Sequence, residues 1–270
     1  MKNYNDLGVK LLYGYDSVPE NTRVGKAYAL HGEALSFDLT EGFPLMTTKF
    51  VGHKSIIHET LWYLKGTTSI DYLQKNGVHV WDKFANEHNE IGKTYSYQFR
   101  NFNGIDQVKE VIKQLKDTEF TDRRAIINLY NPNDLKEMSI PPCIAMIQFF
   151  AYNHKQTGER LLDAIVYQRS ADFCLGVPYD IAEMALLAHI IGAYVDATPK
   201  LLSIHYGNVH VYEPHVETLK LQLEEIPMKL PTLVVDKARL KASEPEDLTI
   251  DMFEIKNIPK GRKKFSYELF

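Results

Sequence analysis

The chain has 270 residues, 44% hydrophobic and 24% charged, with 15 Gly, 12 Pro and 2 Cys, enough for a sizeable core within one domain, residues 1–270. The 31 Lys and Arg against 35 Asp and Glu leave a net charge of −4, which argues against a generic polyanion binder and makes nucleic acid an unexpected partner. Two cysteines exclude a disulfide framework and a four-cysteine zinc site; with a polar N-terminus and no run near ~18 apolar residues, a cytoplasmic protein is expected, with no membrane partner.

In chain order, residues 55–65 read as an amphipathic helix ended by Gly66. Ile105, Val108, Val111, Ile112 and Leu115 recur at helical spacing and predict a second helix over 105–117. The β-branched run 124–130 reads as a strand closed by the turn Asn131-Pro132-Asn133-Asp134. Two further strands are expected over 143–152 and 160–168, around the polar turn Asn153 to Gly158, then a very apolar helix over 181–195 and a strand over 203–213. The last third is more charged and ends in a basic stretch, Lys260 to Lys264. Strands and helices mix without a strict βαβ rhythm, so the expected fold class is α+β (mixed α/β).

Three groups of residues are candidates for chemistry. Cys143, in Pro-Pro-Cys-Ile-Ala-Met, is a nucleophile if a nearby cation lowers its pKa, and otherwise a buried cysteine opening a strand; Cys174 reads as a buried structural residue. Arg123-Arg124, with Arg169 and Arg23, suits a phosphate dianion if the guanidinium groups converge, and is ordinary surface charge if they do not. The segment from Gln168 through Tyr179 to Asp180 packs ionisable groups against the apolar helix, which marks either a site or a capped helix entrance with Asp180 near the N-cap. The ten histidines show no metal spacing, and neither a GxGxxG nor a P-loop is present. No metal is expected.

In order along the chain, Asp38-Leu39 through Gly42 to Lys49, Ser55 to Glu59, Val80-Trp81-Asp82, Asp122-Arg123-Arg124, Pro142-Cys143 to Gln148, Gln168-Arg169-Ser170, Asp172, Leu175-Gly176 and Gly207 to Tyr212 resemble the thymidylate synthase family, up to about residue 255. The resemblance implies a sheet-packed homodimer acting on a pyrimidine deoxynucleoside monophosphate with 5,10-methylene-tetrahydrofolate as co-substrate. On it, Cys143 matches the nucleophile that adds to ring carbon C6. Glu59 matches the carboxylate that organises proton transfer, with Tyr95 a weaker candidate base. Arg23, Arg169 and Ser170 match phosphate ligands in cis, and Arg123 and Arg124 those supplied by the partner subunit. His210 and Tyr212 match the pair holding the sugar 3′-hydroxyl. Gln168, Asp172 and Asp180 fall at the nucleotide, and Lys49, Val80, Trp81, Asp172, Leu175, Gly176 and Tyr179 at the folate-facing wall.

The sequence departs from the family pattern at four places. Asp180 stands where thymidylate synthases carry an asparagine facing the base edge. An amide accepts from uracil N3–H and donates to O4. A carboxylate accepts from cytosine N4–H and meets N3 once a proton is shared, but it opposes uracil O4 acceptor to acceptor. The same Asn-to-Asp difference separates the deoxycytidylate hydroxymethylases from the synthases, so Asp180 is read as a catalytic and specificity residue. Ile144 replaces a histidine after the nucleophile, while Ser170 is kept and favours deoxyribose. Phe50 to His53 and the C-terminal Tyr267 to Phe270 replace the family's basic pattern and small apolar tail; Phe84 and Ser96-Tyr97 replace a tryptophan and a Gly-Lys pair. The leading expectation is a dCMP 5-hydroxymethyltransferase in a bacterial or phage-infected cytosol. The alternatives are a dCMP C5-methyltransferase and a divergent thymidylate synthase methylating dUMP. From another class, an RNA-binding regulator is disfavoured by the net charge.

Overall fold

The computed structural model describes residues 1–22, 24–116 and 122–268. Helices α1 (Lys2–Tyr13), α2 (His53–Tyr63), α3 (Asp71–Lys75), α4 (Tyr95–Arg100), α5 (Gln107–Lys116), α6 (Gly176–Tyr194), α7 (Val216–Leu223) and α8 (Lys237–Lys241) surround a seven-stranded mixed sheet. Six of its strands, β1 (Val18–Thr22), β2 (Gly25–Asp38), β3 (Ile126–Asn128), β4 (Ile144–Asn153), β5 (Arg160–Gln168) and β7 (Thr198–Tyr212), run in the order β1-β2-β7-β5-β4-β3. The seventh, β6 (Ala171–Asp172), pairs with β7, and a separate hairpin joins β8 (Thr232–Val235) to β9 (Phe253–Lys256). The fold is mixed α/β, as expected. None of the described helices is long and apolar enough to cross a membrane.

The core lies between the sheet and α6, whose buried residues run all round its axis, as a central helix requires. Helix α6 begins at Gly176, five residues before the expected start. Pro178 sits in its first turn, where a missing N–H breaks no helical bond. The amides of Cys174 and Leu175 at its entrance donate to the Asp172 carboxylate at 2.9 and 3.1 Å. Asp180 is therefore not an N-cap: it lies inside the helix.

Helix α2 is buried on nearly every side rather than amphipathic, because α6 packs on it. Gly66, just beyond it, has φ +69°, and a Cβ there would stand 2.8 Å from Arg100 Cβ. In α5, Val108, Val111, Ile112 and Leu115 form the buried stripe, whereas Ile105 is 54% exposed in the preceding turn. Strands β4 and β5 match the expected ranges; β3 is shorter than 124–130, and β7 begins five residues earlier than 203. Residue 117 of the expected second helix lies outside the described residues.

Register positions the site. Ile144 pairs with Gln168, Gln168 with Tyr206, and Asp172 with His210. The Arg169 amide donates to the Cys143 carbonyl at 2.8 Å. The start of β4, the end of β5, β6 and the late part of β7 thus converge where α6 begins.

Candidate active site

At that convergence a cavity of about 490 Å³ opens, within the range of small-molecule sites. Its lining includes Cys143, Glu59, Asp180, Tyr95, Gln168, Ser170, Asp172, His210 and Tyr212, and also Val80, Trp81, Leu175, Gly176 and Tyr179. Strand register and the α2–α6 packing bring these fourteen expected site residues together from positions 59 to 212.

Cys143 sits just before β4 with its backbone amide 2.6 Å from the Tyr95 hydroxyl, which accepts this bond and a longer one, 3.4 Å, from the Ile144 amide. Burial pushes the Cys143 thiol up; the Asp180 charge adds to the rise, while the Arg169 charge and a hydrogen bond with Tyr95 pull it down. The expectation that arginines favour the thiolate is thus met only in part: Arg169 acts in that direction but burial outweighs it. Arg169 spends its own hydrogen bonds on the carbonyls of Pro142 at 2.8 Å and Pro141 at 2.9 Å, which ties it to the nucleophile loop. Tyr95 has its own ionisation pushed well up by burial, which makes it a poor base. Its geometry suits placing Cys143 instead.

The Asp180 carboxyl accepts from Gln168 Nε2 at 2.7 Å and keeps its partial exposure through the cavity that it lines. Burial pushes its pKa up to about 7; the Gln168 bond opposes the rise, and the charges of Glu59 and Asp172 add to it. Gly176, one turn earlier, leaves room for it: a Cβ there would lie 3.4 Å from Asp180 Oδ2. Glu59 accepts from Trp81 Nε1 at 2.7 Å and from the Tyr63 hydroxyl at 3.2 Å. His210 pairs with Asn208 Oδ1 at 2.8 Å and lies edge-on to Tyr212.

Four expected residues lie apart from the cavity lining. Arg123 and Arg124 are exposed, with Arg124 held by Asp122, so within one chain they do not converge with Arg169. Arg169 itself faces the nucleophile loop. Buried Lys49 points to the Cys174 carbonyl and stands over the Tyr267 ring, 4.8 Å from its centroid, because the C-terminal segment packs there. Arg23 lies outside the described residues. Among the described residues Asp172, Cys174 and His215 bring three possible ligand atoms within 4.8 Å, a grouping sequence spacing does not show. Its Asp172 already accepts two backbone amides, and burial holds the Cys174 thiol protonated.

Sequence reasoning passed over Glu183, Tyr63 and His79 in the lining. Glu183 had a signal, an ionisable residue three after Asp180 in the most apolar helix; Tyr63 and His79 had none. Of the departures, Ile144 is buried in the sheet core and Phe84 joins the cavity wall against Trp81, centroids 5.8 Å apart. Ser96 donates to the Trp62 carbonyl at 2.6 Å and accepts from the Thr67 amide at 3.1 Å, which ties α4 to the end of α2 and the turn after it.

A cavity with a partly buried cysteine at its wall, an aromatic and aliphatic side, and four carboxyls is suited to covalent catalysis with proton transfer on a small molecule. The thymidylate synthase family model matches residues 2–265. A curated thymidylate synthase of Malacoplasma penetrans (strain HF-2) is 37% identical over 266 residues, spanning 88% of this chain and 90% of the relative. The chain belongs to the thymidylate synthase family, folate-dependent pyrimidine C5 methyltransferases that use methylenetetrahydrofolate and need no metal.

Proposed function

We propose that this enzyme transfers a one-carbon unit to C5 of deoxycytidylate, giving 5-hydroxymethyl-dCMP, and that it works as a homodimer completed by Arg123 and Arg124 of the partner. Cys143 adds to ring carbon C6, and the electron pair released to C5 forms the bond to the incoming carbon. The C5 proton leaves to a base organised by Glu59. The co-substrate supplies carbon at the formaldehyde oxidation level, and the wall of Trp81, Phe84, Leu175 and Tyr179 beside Asp172 suits a flat heterocycle. The carbon–nitrogen bond to the folate then breaks, the C5 proton passes from the base to the departing tetrahydrofolate amine, and an exocyclic methylene remains on C5. Water adds to that carbon, its proton passes to the freed base, and the ring double bond reforms as the Cys143 sulfur leaves as thiolate.

One observation carries the cytosine reading: the Asp180 carboxyl lines the Cys143 cavity and is pushed up to about 7. A carboxyl that titrates there shares a proton with cytosine N3 and accepts from N4–H. A second reading, methylation of dUMP, has better support from similarity alone, since the curated relative is named a thymidylate synthase.

The test is parallel incubation of the purified protein with dCMP, CMP and dUMP, with mass analysis of the nucleotide and absorbance for dihydrofolate. We expect hydroxymethyl-dCMP without dihydrofolate, and kcat/KM for dCMP at least about tenfold above that for dUMP, the factor for one mispaired polar contact. Asp180→Asn is expected to move the preference towards dUMP. A wild-type preference for dUMP with dihydrofolate formation overturns the cytosine reading in favour of the methylating one, and a methylated dCMP overturns the hydroxymethyl product alone.

A further inference from the structure

Glu183 lies one turn beyond Asp180 on α6, is 1% exposed and lines the same cavity. The Tyr63 hydroxyl stands 2.9 Å from Glu183 Oε2 and 3.2 Å from Glu59 Oε1, and its single proton serves one of them at a time. Glu59 has the Trp81 N–H besides, while Glu183 Oε1 is buried with no hydrogen-bond partner among the described residues. The Tyr63 hydroxyl thus bridges the two carboxyls, which share one buried corner of the cavity. The titratable groups facing the pair are Tyr63 on α2 and Tyr179 and Asp180 on α6; none is a cation. Two adjacent buried carboxylates without a cation would repel at low dielectric, so one keeps its proton.

We propose that Glu183 is a positioning residue: it holds that proton against Glu59, and so keeps Glu59 as the carboxylate that faces the cavity. This rests on reading Glu59 as the group that organises proton transfer. The electrostatics agree on the location of the proton. Glu183 is pushed well above the usual carboxylate range by burial and then by Glu59, whereas Glu59 rises with burial but is drawn down by Trp81, Glu183 and Tyr63.

The test compares Glu183→Gln with Glu183→Leu. An amide still donates to Glu59, so Glu183→Gln should keep kcat within about threefold. Glu183→Leu removes the donor and should lose about tenfold or more in kcat at neutral pH, with nucleotide KM little changed and the acid limb moved to higher pH. Infrared spectra in an Asp180→Asn background, which silences that carboxyl, should show at neutral pH a protonated-carboxyl band that shifts in D2O and vanishes on Glu183→Gln. Absence of that band overturns the inference whatever the fate of the leucine variant. So does Glu183→Leu with wild-type kcat and pH limb, or a folded Glu183→Gln as impaired as the leucine variant. A Glu59→Gln protein that still turns over instead overturns the underlying reading of Glu59, with the infrared band unaffected as a measure of the proton on Glu183.

Discussion

Asp180 is an aspartate in the most apolar helix of the chain, and burial pushes its carboxyl up to about 7. Below that value the neutral carboxyl both donates and accepts, and it pairs with the edge of either base. Above it the carboxylate is an acceptor that opposes uracil O4, while cytosine N3, a far better base than a carbonyl oxygen, holds the carboxyl's proton in the complex. The ratio of kcat/KM for dCMP over dUMP should therefore rise as pH passes upward through about 7, by roughly the tenfold that one mismatched contact costs. In Asp180→Asn the ratio should stay flat, because an amide does not titrate. A flat wild-type ratio would remove Asp180 from base selection. Parallel pH series on the two nucleotides decide it.

Elements matter through their ends. Cys143 is placed by the junction of α4 and β4, where the Tyr95 hydroxyl takes up the amides of Cys143 and Ile144. Tyr95→Phe keeps the ring stacked near Tyr63 but strands a buried N–H. We expect a stability loss of roughly 1–3 kcal/mol by urea unfolding, the penalty of an unsatisfied buried donor, and a fall in kcat larger than any change in nucleotide KM. An unchanged unfolding midpoint would show that the amide finds another acceptor. On α6, Asp180 and Glu183 share a face at i and i+3, so one helix delivers both the base-edge carboxyl and the proton-holding one.

At the scale of the whole molecule, two surface features lie outside the cavity. The C-terminal segment packs across residues 46–50: the Phe50 amide donates to the Lys263 carbonyl at 2.7 Å, and Arg262 and Lys264 stand over the Phe50 ring, 5.5 and 5.2 Å from its centroid. The departure at Phe50 is thus a contact with the C-terminal segment at residues 262–264. Arg123 and Arg124 are exposed beside β3, away from their own chain's cavity. If they complete a partner's site, Arg124→Ala and Cys143→Ser should each be inactive alone, yet a mixture should recover activity on subunit exchange, since one site of the hybrid holds both native groups. Fluorescence-verified exchange without recovery would place the arginines in their own subunit's service or in none.

The sequence by itself determined the parts that depend on local periodicity and on ordered motifs. The alternation in 143–152 and 160–168 and the apolar run after Pro178 gave two strands and a central helix, because side chains two or 3.6 apart announce the face they bury; the family and the fourteen lining residues came from the resemblance of motifs ordered along the chain. Helix α1, strand β2 and the β8–β9 hairpin were not legible: their charged residues mask the pattern, and pairing with distant strands supplies what local propensity lacks, as between β2 and β7. Only the tertiary structure decided the electrostatics. That burial outweighs Arg169 at Cys143, that Lys49 turns to the tail, and that Glu183 meets Glu59 across 124 positions depend on which groups share a low-dielectric interior, and Coulomb energy follows distance in space rather than along the chain.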